Sequence, residues 1–153
     1  MQPGPLVDTH AHIYLRDQRV VGDATHRPER SFTDEDFLRT LDDNGVAFGV
    51  IAAASFLGSV NDYSLRATRL HRRLRTTVIV DPSITLPELR AMDADGAVGI
   101  RFSLRNYANI PDLSSPEYRR LLYRVRDLGW HVHVYAEGER IAALTPALLD
   151  AGV

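Results

Sequence analysis

The feature that most constrains this chain is a glycine that closes a helix-like segment directly before an apolar run. It occurs four times, as Asn44-Gly45-Val46, Asp95-Gly96-Ala97, Leu128-Gly129-Trp130 and Ala151-Gly152-Val153. Glycine ends helices because it adopts the left-handed conformation without steric cost, and an apolar run after it favours a buried strand. The chain is therefore predicted to repeat a strand–helix unit, which makes its sheet parallel.

Short apolar runs mark the strands of these units. Their Val, Ile and Ala content without clean alternation indicates strands that are covered on both faces. We expect strands at 5–10, 46–54, 77–80, 97–102 and 130–135.

The predicted helices carry matching start signals. Thr85-Leu86-Pro87-Glu88 reads as a capping box, and Ser115-Pro116 places a proline at the first helical position. The helix after Ser115 should cover the sheet with one apolar face, formed by Tyr118, Leu121, Leu122, Val125 and Leu128.

The length sets the number of units. Five strand–helix units in 153 residues match the pace of a (β/α)8 TIM barrel, which takes about 250 residues for eight units. A chain of this length and apolar content is expected to form a single domain, residues 1–153. Because the sequence stops on the fourth glycine junction, where a sixth strand should begin, we expect this domain to hold the N-terminal five βα units of an incomplete TIM barrel. A complete five-stranded open sheet is the alternative.

The composition excludes several kinds of chemistry. All 18 cations are arginine, so Schiff-base lysines and carbamylated-lysine metal bridges are absent, and the lack of cysteine excludes thiolate sites and disulfides. A net charge of −2 with dispersed cations predicts no nucleic-acid partner. No signal peptide or membrane-length apolar run is found, so a cytoplasmic location is expected. Serine-hydrolase elbows and nucleotide-binding glycine loops are also absent.

Polar and ionisable groups lie at the carboxyl ends of all five predicted strands. In parallel α/β folds, functional residues collect at the carboxyl ends of the strands, so these groups predict a site at one rim. They are His10 and His12, Ser55, Asp81-Pro82, Arg101, and His133 with Tyr135.

His10 and His12 project to the same side of a strand because side chains alternate with a period of two. They could be two ligands of a divalent metal, or neutral imidazoles that position a carbonyl. Catalytic zinc takes three protein ligands, so a further ligand would be needed. Asp8 has the same parity and could orient an imidazole or accept a hydrogen bond at the strand edge. The alternative is a pair of rim histidines with purely structural hydrogen bonds.

Arg101 lies in an otherwise apolar strand, where an unpaired guanidinium is costly to bury. It should meet an anion, which could be a substrate carboxylate or an internal partner such as Asp8 or Asp81. Arg105, four residues later, could assist it.

On the fifth predicted strand, His131, His133 and Tyr135 point one way. The early position of His131 favours a packed or lower-barrel role. His133 fits an active-site group and a core histidine equally well, and Tyr135 is the better candidate for contact with substrate.

Four short stretches, taken together, resemble the amidohydrolase-related proteins of the amidohydrolase superfamily, and among them the 2-pyrone-4,6-dicarboxylate lactonases. The stretches are Val7-Asp8-Thr9-His10-Ala11-His12, Ala54-Ser55-Phe56-Leu57-Gly58 with Asn61 after it, Gly99-Ile100-Arg101-Phe102, and Gly129-Trp130-His131-Val132 with Tyr135.

This resemblance implies a TIM barrel of the metal-dependent hydrolase type that hydrolyses a carboxylated lactone or related carbonyl substrate by attack of water. His10 and His12 would lie at the reaction centre, with a divalent metal, zinc before others, or in a metal-free mechanism. By the same resemblance, the substrate carboxylates would be held by Ser55, Arg101, Arg105 and Tyr135. Another histidine and the aspartate general base would come from later strands, so the 153-residue chain alone should lack activity.

Two alternatives stand beside this hydrolase. One is a metal-dependent decarboxylase of the same superfamily, and the other is a non-catalytic carboxylate- or metal-binding α/β module. An open barrel edge also predicts self-association into a homo-oligomer.

Overall fold

A computed structural model describes residues 4–22, 24, 26–104 and 110–153, in which strands and helices alternate along the chain. The strands are β1 (Val7–Ala11), β2 (Phe48–Ile51), β3 (Leu74–Val78), β4 (Ala97–Ser103) and β5 (His131–Tyr135). The helices are α1 (Asp34–Asp43), α2 (Asp62–Leu70), α3 (Leu86–Ala94), α4 (Pro116–Asp127) and α5 (Gly138–Ala151), and a short 3-10 turn (Ser55–Leu57) follows β2. None of the helices in the described ranges is long and apolar enough to cross a bilayer.

The five strands form one parallel sheet in the order β1-β2-β3-β4-β5. In a flat sheet, four strand spacings would hold β1 and β5 about 19 Å apart. The rings of His10 on β1 and His133 on β5 are nevertheless only 5.0 Å apart between centroids. The sheet is therefore curled into a half-barrel, and side chains on its concave face meet across the curl.

The helix-end signals are confirmed. The four predicted junction glycines all have positive φ, from 64° at Gly45 to 100° at Gly96. Thr85 and Glu88 form the reciprocal hydrogen bonds of a capping box at the start of α3. Ser115 does stand before Pro116 at the start of α4, but its side chain makes no capping hydrogen bond.

The third strand lies earlier than the sequence pattern indicated. It covers Leu74–Val78 instead of 77–80. Leu74 and Thr76 are fully buried, whereas Arg75 between them is exposed and breaks the apolar run. The Thr76 hydroxyl donates to the carbonyl of Ile51 at 3.0 Å, which allows a polar residue in a buried strand.

The core lies between the sheet and the helices on its convex side. The predicted apolar face of α4 is confirmed, since Leu121, Leu122 and Val125 are fully buried in the larger of two apolar clusters. In the smaller cluster, Phe37 and Leu41 of α1 pack near β2, whose Gly49 has no room for a Cβ beside them. Because the helices take up the convex face, polar side chains are left to the concave face.

Candidate active site

Three imidazoles meet on the concave face. His10 lies on β1, His12 directly follows that strand, and His133 lies on β5. The ring centroid of His10 is 5.0 Å from that of His12 and 5.0 Å from that of His133, with edge-on contacts in both cases. His12 places Nδ1 2.7 Å from the carbonyl oxygen of Ala52, so Nδ1 donates and Nε2 keeps its lone pair. The three rings can therefore act on one ligand.

The site holds these imidazoles in their neutral form. Burial lowers the pKa of His10 and of His12, and the nearby Arg101 charge lowers both further. For His133, burial, Arg101 and the neighbouring histidines lower the pKa to about 4. A neutral imidazole is a metal ligand and a hydrogen-bonding group at neutral pH, whereas a histidine with a pKa of about 4 is a weak general base.

Asp8 acts as a hydrogen-bond acceptor at the strand edge, which is one of the two roles predicted for it. Its carboxylate accepts the backbone N–H of His10 at 2.9 Å. The register pairs Asp8 with Gly49 and Ala11 with Ile51, so β1 contains an irregularity between them. Asp8 thus holds the backbone of the strand end, and its charge opposes the lowering of the His10 pKa.

Arg101 lies beside the imidazoles on β4, in register with His133 on β5. Its side chain is only 5% exposed, and one terminal nitrogen donates to the carbonyl of Ala53 at 2.6 Å. The Tyr135 ring lies 5.5 Å from the guanidinium carbon. Burial lowers the pKa of Arg101, because the charged form is desolvated. Arginine nevertheless stays charged at neutral pH.

No internal anion neutralises this buried charge within the described part of the chain. Arg101 forms no ion pair there, and its Nε is buried without a hydrogen-bond partner. Of the two internal partners considered from the sequence, Asp8 binds the His10 backbone and Asp81 accepts from Ser83. The donor set of Arg101 therefore suits an external carboxylate.

A cavity of about 250 Å³ opens next to Arg101. Ser55, at the start of the 3-10 turn, lines it together with Ile79 of the β3 end and Ser103 of β4. His10, His12 and Tyr135 lie outside this lining, so Arg101 is the residue that joins the cavity to the imidazoles. Arg105, the other predicted carboxylate ligand, lies outside the described residues.

The family of the chain follows from its similarity to known proteins. The sequence profile of the amidohydrolase family matches residues 7–151. The chain belongs to the amidohydrolase family. The chain is 27% identical to 4-sulfomuconolactone hydrolase of Hydrogenophaga intermedia over 98% of its own length and 52% of that protein.

Solved structures agree with the half-barrel. A probable 2-pyrone-4,6-dicarboxylic acid hydrolase of Acinetobacter baumannii, crystallised with citric acid bound, is 30% identical with a TM-score of 0.92. The match covers 96% of the present chain and 55% of the Acinetobacter baumannii protein. A zinc-bound amidohydrolase of Burkholderia multivorans, 13% identical with a TM-score of 0.73, shares the fold, covering 97% of this chain and 55% of its own. The chain spans about half the length of these relatives, which confirms the incomplete TIM barrel as its fold.

The donor set of this chain meets part of the requirement for a metal ion. His12 offers Nε2 and His10 lies beside it, and both are neutral, as metal ligands must be. Within the described ranges, however, no three His, Cys, Asp or Glu side chains are grouped closely enough to hold a metal. The two imidazoles thus fit as a pair of ligands that needs completion.

The sequence pattern alone does not assign a role to His133. Its parity with Tyr135 at the end of the fifth predicted strand was the available signal, but a buried structural histidine has the same pattern. His131, two residues earlier, is exposed and lies against Gly99 of β4. The curl of the sheet distinguishes the two histidines, because it brings the ring of His133, and not that of His131, to the ring of His10.

Proposed function

We propose that this chain is part of an enzyme that acts on a carboxylated lactone or related carbonyl substrate, which the whole enzyme hydrolyses by attack of water. The observation that carries the proposal is Arg101, a buried guanidinium whose Nε has no partner among the described residues, beside three neutral imidazoles. A cationic anchor next to neutral polar rings suits a substrate that has a carboxylate near a reactive carbonyl. The lactone hydrolases among the relatives support the same substrate class.

In the proposed mechanism, Arg101 binds a substrate carboxylate through its planar fork, with help from Ser55, Arg105 and Tyr135. This contact orients the ring so that its carbonyl faces the imidazoles of His10 and His12. His133 is too weak a base at its pKa of about 4 to take a proton from water near neutral pH. We therefore assign the general base to a carboxylate that the described residues do not supply; Asp8 holds the His10 backbone N–H through its Oδ1.

We also propose that His10 and His12 bind a divalent metal, zinc before other ions. Their neutral rings and the free Nε2 of His12 support this assignment. Such an ion would polarise the substrate carbonyl and the attacking water. Arg101 would keep its anchoring role in a metal-free reaction as well.

Calorimetric titration with 2-pyrone-4,6-dicarboxylate tests the proposed function. We expect saturable 1:1 binding with a Kd below about 1 mM, and no detectable binding of unsubstituted 2-pyrone, which lacks the carboxylates. Absorbance of the pyrone should stay constant, with or without zinc, because the described residues supply no suitable general base. Equal affinity for both compounds would contradict the substrate class. Hydrolysis abolished by His12→Ala would show that the base is present in this chain.

We propose, further, that residues 1–153 form one domain that self-associates through its open barrel edge. Val7 of the edge strand β1 pairs in register with Phe48, and with Leu6 they form an apolar patch whose members are 45–61% exposed. Sedimentation at rising concentration should show dimers or larger species, which Phe48→Glu should dissociate. Leu149→Glu is the control, because Leu149 is 72% exposed on α5, away from that edge. A concentration-independent monomer would contradict the proposal.

A further inference from the structure

Asn61 stands at the first position before α2, yet it does not cap that helix. Asparagine is one of the preferred residues at this position because its side chain can accept a backbone N–H of the first turn. Here the side chain makes no capping hydrogen bond and is almost completely buried, with 5% exposed. The helix thus forgoes a contact that stabilises helices by about 1 kcal/mol.

The Asn61 amide instead joins two segments that line the cavity beside Arg101, which is called the carboxylate-binding cavity below. Its Nδ2 donates to the carbonyl of Ile79 at 2.8 Å and to that of Ser59 at 2.9 Å. Its Oδ1 accepts the N–H of Ile79 at 3.1 Å. Ile79 is the first residue after β3. The Asn61 side chain therefore binds both the backbone N–H and the backbone carbonyl of Ile79. The segment between β2 and α2 is fastened to the end of β3.

These two segments both line the cavity beside Arg101. Ser55 and Gly58 come from the segment before α2, and Ile79 comes from the end of β3, and all three line the cavity beside Arg101. Asn61 itself is outside that lining. It can influence a ligand there only through the segments that it joins.

We propose that Asn61 is a positioning residue for the carboxylate-binding cavity, which sets the distance of Ser55 and Gly58 from Ile79 and Arg101. This inference rests on the proposed function for the nature of the ligand. The three hydrogen bonds of the Asn61 side chain to Ser59 and Ile79, called the clamp below, are already present in the ligand-free protein. Loss of the clamp should weaken binding without removing any group that touches the ligand.

Two variants separate this role from a role in starting α2. Asn61→Ala removes all three hydrogen bonds. Asn61→Asp keeps the shape and is an equally good helix-capping residue, but it places an oxygen where Nδ2 faces two carbonyl oxygens. If Asn61 only starts the helix, the aspartate variant should behave like the wild type. Asn44→Asp is the matched control, because Asn44 donates from Nδ2 to the Thr40 carbonyl at the exposed end of α1.

We expect both Asn61 variants to raise the Kd for 2-pyrone-4,6-dicarboxylate about tenfold. Hydrogen exchange of the Gly58 and Val60 amides should accelerate by a similar factor, while Asn44→Asp changes neither quantity. Faster exchange with unchanged affinity would overturn the positioning role, and so would unchanged exchange in both variants.

If the wild-type protein binds no pyrone dicarboxylate, the proposed function is refuted. The positioning role of Asn61 is then tested in the ligand-free protein. The NMR resonance of the Arg101 Nε–H then decides the inference. A shift of this resonance in Asn61→Asp but not in Asn44→Asp supports a clamp that shapes the cavity, and an unmoved resonance overturns it.

Discussion

Replacement of Arg101 by methionine is expected to weaken binding of 2-pyrone-4,6-dicarboxylate at least 100-fold and to leave the free energy of unfolding within about 1 kcal/mol of the wild type. The affinity falls because the buried cation is the partner of the substrate carboxylate. The stability changes little because, without ligand, the guanidinium is already desolvated and lacks a counter-ion in the described part of the chain. Titration calorimetry and urea denaturation measure the two quantities.

Two comparisons make this expectation specific. Arg66→Met removes the same charge from an exposed position on α2 and should alter neither affinity nor stability. Arg101→Lys keeps the charge but loses the planar fork, so we expect it to recover only part of the affinity. A stability loss of several kcal/mol in ligand-free Arg101→Met would mean that the residue is structural, which would contradict its assignment to an external anion.

Gly99→Ala is expected to lower the free energy of unfolding by about 2–4 kcal/mol. A Cβ on Gly99 would lie 2.5 Å from the backbone carbonyl oxygen of His131 and 2.9 Å from its ring. The carbonyl belongs to β5, which is paired with β4 along its whole length, so it cannot move aside independently. Arg101 and His133 form the next pair on this face, and the same shift should separate them and weaken ligand binding.

Gly138→Ala provides the control for this substitution. Gly138 is the first residue of α5, and an added Cβ there would meet nothing within 4 Å. Since alanine is the better helix former, this variant should be as stable as the wild type or slightly more stable. Thermal and urea denaturation compare the two variants, and a Gly99→Ala protein within 0.5 kcal/mol of the wild type would show that β4 and β5 tolerate the shift.

Much of the fold could be predicted because its signals are local. A glycine after a helix, the Thr85–Glu88 capping box and the apolar face of α4 each depend on residues within a few positions of one another. The start of β3 was missed because Arg75 is solvent-exposed inside a buried strand. Asn61 shows the opposite case, in which a residue at a helix start binds a strand end 18 positions away.

The sequence by itself determined the repeating strand–helix units, the parallel sheet and the rim that carries His10, His12 and Arg101, since backbone conformation and strand periodicity are set by neighbours in the chain. Only the tertiary structure decided which of these groups act together. His133 joins His10 because the sheet curls, and Arg101 stays unpaired because no described carboxylate reaches it. These outcomes depend on distances between segments that are remote in sequence, which curvature and register set and which no local pattern encodes.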